Sequence, residues 1–327
     1  MSDLLFALSA ILPITLLILL GFVLSKIKLV SREVFYGLNK ICYYCLMPVM
    51  LFKNIYDVES LASINLKLVL FVAIGIIVLF LLGLVGVILF SKDNKQKGVI
   101  LQGIFRANYA IIGIPLAGAI AGDEGLRVAS LVSLIVIPIA NLLATIALTI
   151  FVKNEDDKHP VKTTIKKIAL NPLILGVVVG LLFLVIRYIF VSLNISFRLT
   201  DISALYTAIS YVSRSASPLA LITLGGLFEF SMVKELRKQL SIVVLVRLIA
   251  VPLVFLSIAY FLFDFDSASY AALIGVFASP IAVTSAIMAK ELDNDSNLAN
   301  QIVVWTTLFS TITIFIFIYV FRLLGAI

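Results

Sequence analysis

The sequence predicts an all-α polytopic membrane protein with ten transmembrane helices, arranged as two inverted five-helix repeats. Composition is the first observation: of the 327 residues, 62% are hydrophobic and only 13% are charged, which is too apolar for a soluble domain. The second observation is a series of ten long apolar segments. The third is a pair of matching Gly- and Pro-containing patches, one in each half of the chain.

Each apolar segment is long enough for one membrane span, because a span needs roughly 20 apolar residues to cross a hydrocarbon core of ~30 Å. The first segment has no positively charged leading region and no small-residue cleavage site, so we interpret it as a mature helix. The ten segments lie near residues 5–25, 33–55, 66–90, 98–121, 126–152, 168–191, 202–228, 239–263, 268–289 and 298–325.

Basic residues in the loops predict the orientation of the spans. Fifteen Lys or Arg residues lie in the loops after odd-numbered spans, whereas six lie on the other side. The odd-numbered loops are therefore expected in the cytoplasm, with both termini outside the cell membrane. The net charge of +7 mostly reflects this bias, and its spread over five short loops argues against a nucleic-acid partner.

Motifs for catalysis or metal binding are lacking in the sequence. It contains no H-E-x-x-H, P-loop or G-x-S-x-G motif, so hydrolase and ATP-driven pump functions have no support. Cys42 and Cys45 form a C-x-x-C within an apolar helix, which favours packing over redox chemistry. With His159 as the only histidine, a metal cluster is not indicated. We expect no enzymatic activity, cofactor or metal.

A polar linker at residues 153–166 divides the chain into a first repeat at 1–152 and a second at 167–327. Each half holds five spans, so the second half begins on the opposite side of the membrane. The repeats are then inverted, as in many secondary transporters. The linker itself is interpreted as solvated chain, with a regulatory tether as the alternative.

Gly and Pro landmarks recur in the two halves. Pro13 and Gly21 in span one match Pro172 and Gly180 in span six, with the same separation along the chain. Constant spacing of such landmarks favours an internal repeat over a chance match of common membrane-helix residues.

The two matching patches lie in spans four and nine. One reads Leu-Gln-Gly-Ile-Phe-Arg-Ala-Asn at 101–108, and the other reads Leu-Ile-Gly-Val-Phe-Ala-Ser-Pro at 273–280. A helix rise of ~1.5 Å per residue places Asn108 and Pro280 roughly 15 Å from the nearest loop lysines. Both residues are therefore expected near the middle of the membrane.

Spans four and nine are predicted to be broken helices, at Gly113 and Pro115 in one and at Pro280 in the other, because proline disrupts the preceding helical turn. Freed backbone groups must be satisfied by protein, water or a ligand, and half-helix N-termini favour anions. Ordinary kinks packed by small polar residues are the alternative. The predicted substrate-binding residues are Asn108, Arg106, Pro280, Ser279, Thr284, Ser285, Asn39 and Lys40.

Charges inside the spans predict the sign of the substrate. Four cations, Lys40, Arg106, Arg214 and Arg247, lie well within apolar segments, and no carboxylate lies comparably deep. Charged residues at such depth are costly and usually functional. An excess of cations favours an anionic substrate, with snorkelling of each side chain to an interface as the alternative.

These patches resemble the auxin efflux carrier family, which includes plant PIN-type auxin transporters and bacterial malate or malonate permeases. Span two matches the family's pattern of Asn, an apolar run, Pro and Phe at 39–52. Span four has Arg-x-Asn at 106–108 and Gly-Ile-Pro at 113–115, and span nine has Ser-Pro at 279–280 before Ala-Lys-Glu at 289–291.

The resemblance implies a ten-helix fold like that of the bile acid sodium symporters. Spans 1, 2, 6 and 7 would form a scaffold, and spans 3–5 and 8–10 a transport domain that moves as an elevator. Ser285 stands where plant members have a second proline, so the plant substrate is not carried over. We predict a secondary transporter of small organic anions such as carboxylates.

Two alternatives remain open at this point, a sodium-coupled organic anion symporter and a non-transporting membrane receptor or scaffold. A proton or a sodium ion is the candidate coupling ion. The substrate, the direction of transport and the oligomeric state are open, with a homodimer as one candidate.

Overall fold

The computed structural model of the chain describes residues 2–58, 65–152 and 160–327, so residues 153–159 of the predicted linker lie outside the described residues. The described part is helical apart from its loops and one isolated β-bridge. Six of its helical stretches are long and apolar enough to cross a membrane. The prediction of an all-α polytopic membrane protein is therefore confirmed.

The helices of the first half are α1 (Ser2–Lys26), α2 (Arg32–Ile41), α3 (Met47–Tyr56), α4 (Leu66–Phe90), α5 (Asn94–Phe105) and α6 (Ile114–Ile150). A tight turn divides α6 into two helical arms, because Ala121 and Gly122 leave the helical conformation. Gly122 has a φ of +63°, which a residue without Cβ adopts at no steric cost. This turn separates the segments predicted as spans four and five.

The helices of the second half are α7 (Pro160–Ala169), α8 (Pro172–Ser192), α9 (Ser203–Gly226), α10 (Ser231–Leu245), α11 (Val251–Leu262), α12 (Ser267–Phe277), α13 (Thr284–Glu291) and α14 (Ser296–Leu323). The side-chain oxygen of Asn171 accepts bonds from the amides of Leu173 and Ile174 and thereby caps α8. Pro172 occupies the first turn of α8, whereas its sequence counterpart Pro13 lies inside α1.

Three proline residues follow π-helical segments at the same distance. The π segments are Cys42–Leu46, Tyr109–Gly113 and Val246–Ala250, and each ends two residues before a proline, namely Pro48, Pro115 and Pro252. In a regular α-helix the proline ring clashes with the carbonyl one turn earlier. A π turn widens the backbone at that point, so these three helical stretches continue through their prolines.

Close helix crossings join the two halves of the chain. α1 packs on α9, and α3 packs on α8. A Cβ at Gly21 would lie 1.9 Å from the carbonyl oxygen of Ile222, and a Cβ at Gly180 would lie 3.0 Å from that of Phe52. Both landmark glycines therefore sit where a helix of one half meets a helix of the other, and their missing side chains permit the approach.

Candidate functional site: a crossover of two interrupted helices

Two helical stretches of the protein are interrupted. One gap, at residues 106–108, separates α5 from the helical segment that leads into α6, and the other, at residues 278–283, separates α12 from α13. Ala107 and Ile281 form an antiparallel β-bridge between the gaps. We call these two gaps the crossover.

Backbone pairing at the crossover satisfies groups that the gaps leave free. The amide of Asn108 donates to the carbonyl of Pro280 at 2.8 Å, and the amide of Ile281 donates to the hydroxyl of Thr306 at 3.4 Å. Inside a membrane such groups have no water to bind. The paired backbone can therefore hold the four helix ends together.

The first gap does not lie at the predicted residues. Gly113 and Pro115 lie in helical backbone beyond it, in the π segment and the first turn of α6. The physical reason is the π turn, which accommodates Pro115 without breaking the helix. Pro280, in contrast, lies within the second gap.

Arg247 contacts the carbonyl ends of both helices that lead into the crossover. Its Nε donates to the carbonyl of Ser279 and its Nη2 to that of Val276, both at 2.9 Å. Its Nη1 lies 3.4 and 3.5 Å from the carbonyls of Ile104 and Phe105. Because helix C-termini carry partial negative charge, the fully buried Arg247 guanidinium is balanced without a carboxylate.

Arg106 is the second buried cation, and its partners are neutral. Its Nη2 donates to Oδ1 of Asn141 at 2.8 Å, and its Nη1 donates to the sulfur of Met288 at 2.9 Å and to Oε1 of Gln102 at 3.3 Å. No ion pair in the described part of the chain involves Arg106. Its charge therefore remains available to an anion.

Two more polar groups at the crossover are buried and unpartnered. The side-chain amide nitrogen of Asn108 and the hydroxyl of Ser285 form no hydrogen bond within the described residues. A buried polar group left unsatisfied costs about 1–3 kcal/mol, so each is a position where a ligand acceptor would be favourable. The carbonyl of Ser285 accepts from Nε2 of Gln102 at 3.1 Å, and Gln102 in turn contacts Arg106.

The remaining predicted residues differ in their surroundings. The hydroxyl of Ser279 donates to the carbonyl of Gly275, and Thr284 is buried at the start of α13. Nδ2 of Asn39, on α2, donates to Oε1 of Glu291 at 2.8 Å and to the carbonyl of Ile287 at 3.3 Å. Asn39 is thus joined to the end of α13.

The structure does not bring every predicted cation to the crossover. Lys40 is exposed on α2, although its neighbour Asn39 is buried. Arg214 is likewise exposed, on α9. Of the four cations that the sequence places inside apolar segments, only Arg106 and Arg247 are buried.

Sequence reasoning did not single out Gln102, Asn141 and Met288. The first two carried a usable signal, because each is an isolated amide side chain within an apolar segment, where a polar residue usually has an assigned partner. Met288 carried none, since methionine is ordinary in an apolar helix. All three contact Arg106.

A cavity of about 380 Å³ lies between α7, α13 and the segment that joins α2 to α3. Lys166 and Lys167 are at its exposed side. Its buried side includes Tyr43, whose hydroxyl accepts from Nδ2 of Asn171 at 2.8 Å. Glu291 and Asp293, at the end of α13, also line the cavity, so its charged residues are of both signs.

Comparison with known proteins gives a match over nearly the whole chain. The family model described as "Membrane transport protein" matches residues 6–318. An uncharacterized transporter of Methanothermobacter thermautotrophicus is 23% identical over 307 residues, which cover 93% of this chain and 95% of that protein. An uncharacterized transporter of Methanocaldococcus jannaschii is 27% identical over 221 residues, which cover 66% of this chain and 67% of the relative.

Proposed function

We propose that this chain, which belongs to the auxin efflux carrier family of membrane transport proteins, moves small organic anions across the membrane. Carboxylates are the substrate class, and the crossover is the binding site. One observation carries the proposal: Arg106 is buried with neutral partners only, beside unpartnered polar groups on Asn108 and Ser285. A carboxylate would supply both the missing charge and the missing hydrogen-bond acceptors.

The distribution of helix ends supports the same sign of charge. Arg247 occupies the carbonyl ends of α5 and α12. The two helical segments that start at the crossover, Tyr109–Ile150 and α13, present amide ends there. Amide ends attract anions, and the polar groups on Asn108 and Ser285 lie at these same ends.

Helix pairing supports the ten-span, inverted-repeat interpretation. The six long apolar stretches make ten spans when α6 is divided at Gly122 and when α1, α9 and the stretch from α12 to α13 are added. Under the repeat, span one (α1) corresponds to span six (α8), and span two (α2–α3) corresponds to span seven (α9). The contact of α1 with α9 is then the counterpart of the contact of α8 with α3. Gly21 and Gly180 hold equivalent positions in these two contacts.

The proposed mechanism is an elevator, in which α4–α6 and α10–α14 move as a transport domain against a scaffold of α1–α3, α8 and α9. The 380 Å³ cavity lies between α13 of the former and the α2–α3 segment of the latter. We place this cavity on the cytoplasmic side. Both termini then lie outside.

The test is uptake of radiolabelled carboxylates by proteoliposomes, with mono- and dicarboxylates compared under sodium and proton gradients. We expect Asn108→Ala to abolish uptake and to leave the protein monodisperse with an unchanged melting temperature. Asn300→Ala is the matched control, because Asn300 is a buried amide that has a backbone partner at Leu227. Unchanged uptake by Asn108→Ala would refute the site assignment.

The alternatives give different results in the same assay. Uptake that requires an inward sodium gradient would identify a sodium-coupled symporter. Carboxylate binding without flux under any gradient would identify a receptor or scaffold and overturn the transport proposal.

A further inference from the structure

A second cavity, of about 860 Å³, lies on the outer surface of the helix bundle. Its walls are α4 on one side and the stretch from α10 to α11 on the other, and its floor includes Ile100 and Ile104 of α5. We call this cavity the outer groove. The side chains that line it are apolar over most of its length.

The length of the outer groove matches one leaflet of a bilayer. Along α4 it runs from Leu79 to Phe90, which is about 16 Å at the rise of a helix. Half of a ~30 Å hydrocarbon core is about 15 Å. An apolar groove of this length fits acyl chains that enter from one face of the membrane.

The two ends of the outer groove differ in charge. At the Phe90 end it is bordered by Lys92, from the loop after α4, and Lys238 of α10. Both lysines are exposed, and neither forms an ion pair in the part of the chain that the structure describes. Two cations from different elements thus flank the mouth of an apolar groove.

Three other polar side chains at this mouth, those of Asp93, Gln96 and Gln239, have protein partners. The carboxylate of Asp93 accepts from the amide of Lys95 at 2.8 Å. Gln96 donates to Asp295 at 3.0 Å and accepts from Gln239 at 3.0 Å. Lys92 and Lys238 therefore remain to bind a ligand.

We propose that the outer groove is a binding site for an anionic phospholipid. Its acyl chains would lie along α4 and α11, and its phosphate would contact Lys92 and Lys238. Basic pockets between membrane helices favour anionic headgroups in this way. The lipid would pack against Ile104, two residues before Arg106, and thus against the helix that leads into the crossover.

Gly86 provides a variant that fills the groove without disturbing the protein. It lines the outer groove, and a Cβ at this position would meet no atom within 4 Å. In Gly86→Leu the added side chain would occupy the space of an acyl chain. Gly86→Ala, which adds one methyl group, is the control for folding.

The experiment is native mass spectrometry of the purified full chain, titrated with phosphatidylglycerol or phosphatidylcholine. The wild type should retain one phosphatidylglycerol in preference to phosphatidylcholine. Lys92→Ala and Lys238→Ala should each lower that preference about fivefold, since one cation near anionic lipid is worth ~1 kcal/mol. Lys95→Ala with Lys234→Ala is the charge-matched control and should retain the preference, because Lys95 lies three residues after Lys92 and Lys234 four residues before Lys238, and neither lines the groove.

Gly86→Leu should weaken retention of both lipids, whereas Gly86→Ala should retain them. An unchanged preference in the Lys92→Ala, Lys238→Ala double variant would overturn the proposal. So would protection of the melting temperature by inorganic phosphate alone, because a headgroup site should require the lipid. A dimer abolished by Gly86→Leu with lipid retention intact would assign the groove to a second copy of the chain instead.

Discussion

Arg106 and Asn141 form a 2.8 Å hydrogen bond in the interior of the protein, between Nη2 of the guanidinium and Oδ1 of the amide. Asn141 is itself fixed, since its Nδ2 donates to the carbonyl of Ile137 at 2.8 Å. The bond therefore orients Arg106 but does not neutralise it. Because Asn141 is neutral, it can fix the side chain of Arg106 and leave the positive charge to be neutralised by a bound substrate.

The first prediction concerns the charge of Arg106. Arg106→Gln should abolish carboxylate uptake by proteoliposomes without lowering the melting temperature, because the variant removes a buried charge that has no carboxylate partner. Arg106→Lys should retain a weaker activity, since an ammonium keeps the charge but loses the planar fork of donors. Arg214→Gln is the control for loss of an exposed arginine. Full uptake by Arg106→Gln would contradict the assignment.

The second prediction is the opposite behaviour of Arg247. Arg247→Gln should destabilise the protein by about 3–5 kcal/mol, because the helix-end carbonyls that it contacts would be left buried without a partner. The test compares the melting temperatures of Arg247→Gln and Arg106→Gln in the same detergent. A smaller loss of melting temperature for Arg247→Gln than for Arg106→Gln would reverse the roles assigned to the two arginines.

The contrast between these arginines shows what could be predicted from the sequence. Composition predicts that both lie within apolar segments, and both are buried in the structure, although Arg106 lies in the gap after α5 and not in a helix. The sequence cannot show that Arg247 meets the carbonyl ends of α5 and α12, because those contacts join residues far apart in the chain. Only the fold distinguishes a structural cation from one that can bind a ligand.

The position of the first helix break illustrates a local limit of sequence reasoning. Proline predicts a disrupted turn, but the structure places a π turn before Pro115 and keeps that helix continuous. The gap lies instead at residues 106–108, where pairing of Ala107 with Ile281 replaces helical bonds. This pairing depends on residues 278–283, which are far from the first patch in the sequence. The residues around 106–108 therefore cannot predict it by themselves.

The third prediction concerns the contact of Asn39 with Glu291, which joins the proposed scaffold to the proposed transport domain. A hydrogen bond to a charged group contributes about 1.5–3 kcal/mol, and neighbouring residues of this kind show non-additive effects. The stability losses of Asn39→Ala and Glu291→Ala should therefore sum to more than the loss in the double variant. Additive losses of melting temperature would show that this contact stabilises little.

The same pair can be tested for its role in the elevator movement. The contact would have to break when α13 moves against α2. Weakening it should therefore change the rate of uptake and leave the affinity for the substrate unchanged. Lys290→Ala should change the rate in the same way, because the Lys290 ammonium lies over the ring of Tyr36 on α2 at 4.4 Å and so forms a second contact across the same boundary. Loss of affinity in Asn39→Ala would place Asn39 in the substrate site instead.

The fourth prediction concerns the contact of Gly275 on α12 with Gly113. A Cβ at Gly275 would lie 2.7 Å from the carbonyl oxygen of Gly113, and a Cβ at Gly113 would lie 2.8 Å from that of Gly275. Because backbone atoms cannot rotate away, Gly275→Ala should force α12 from its neighbour and cost about 1–3 kcal/mol. Gly37→Ala, which meets no atom within 4 Å in α2, should instead stabilise by about 0.5–1 kcal/mol.

Uptake should follow the same contrast between the two glycines. Gly275 lies four residues before Ser279, whose hydroxyl binds its carbonyl, so a displaced α12 also displaces the second gap of the crossover. Gly275→Ala should therefore lower uptake even at temperatures where the variant is folded, while Gly37→Ala transports at the wild-type rate. Normal uptake by folded Gly275→Ala would mean that the site tolerates this displacement and that the close approach serves stability alone.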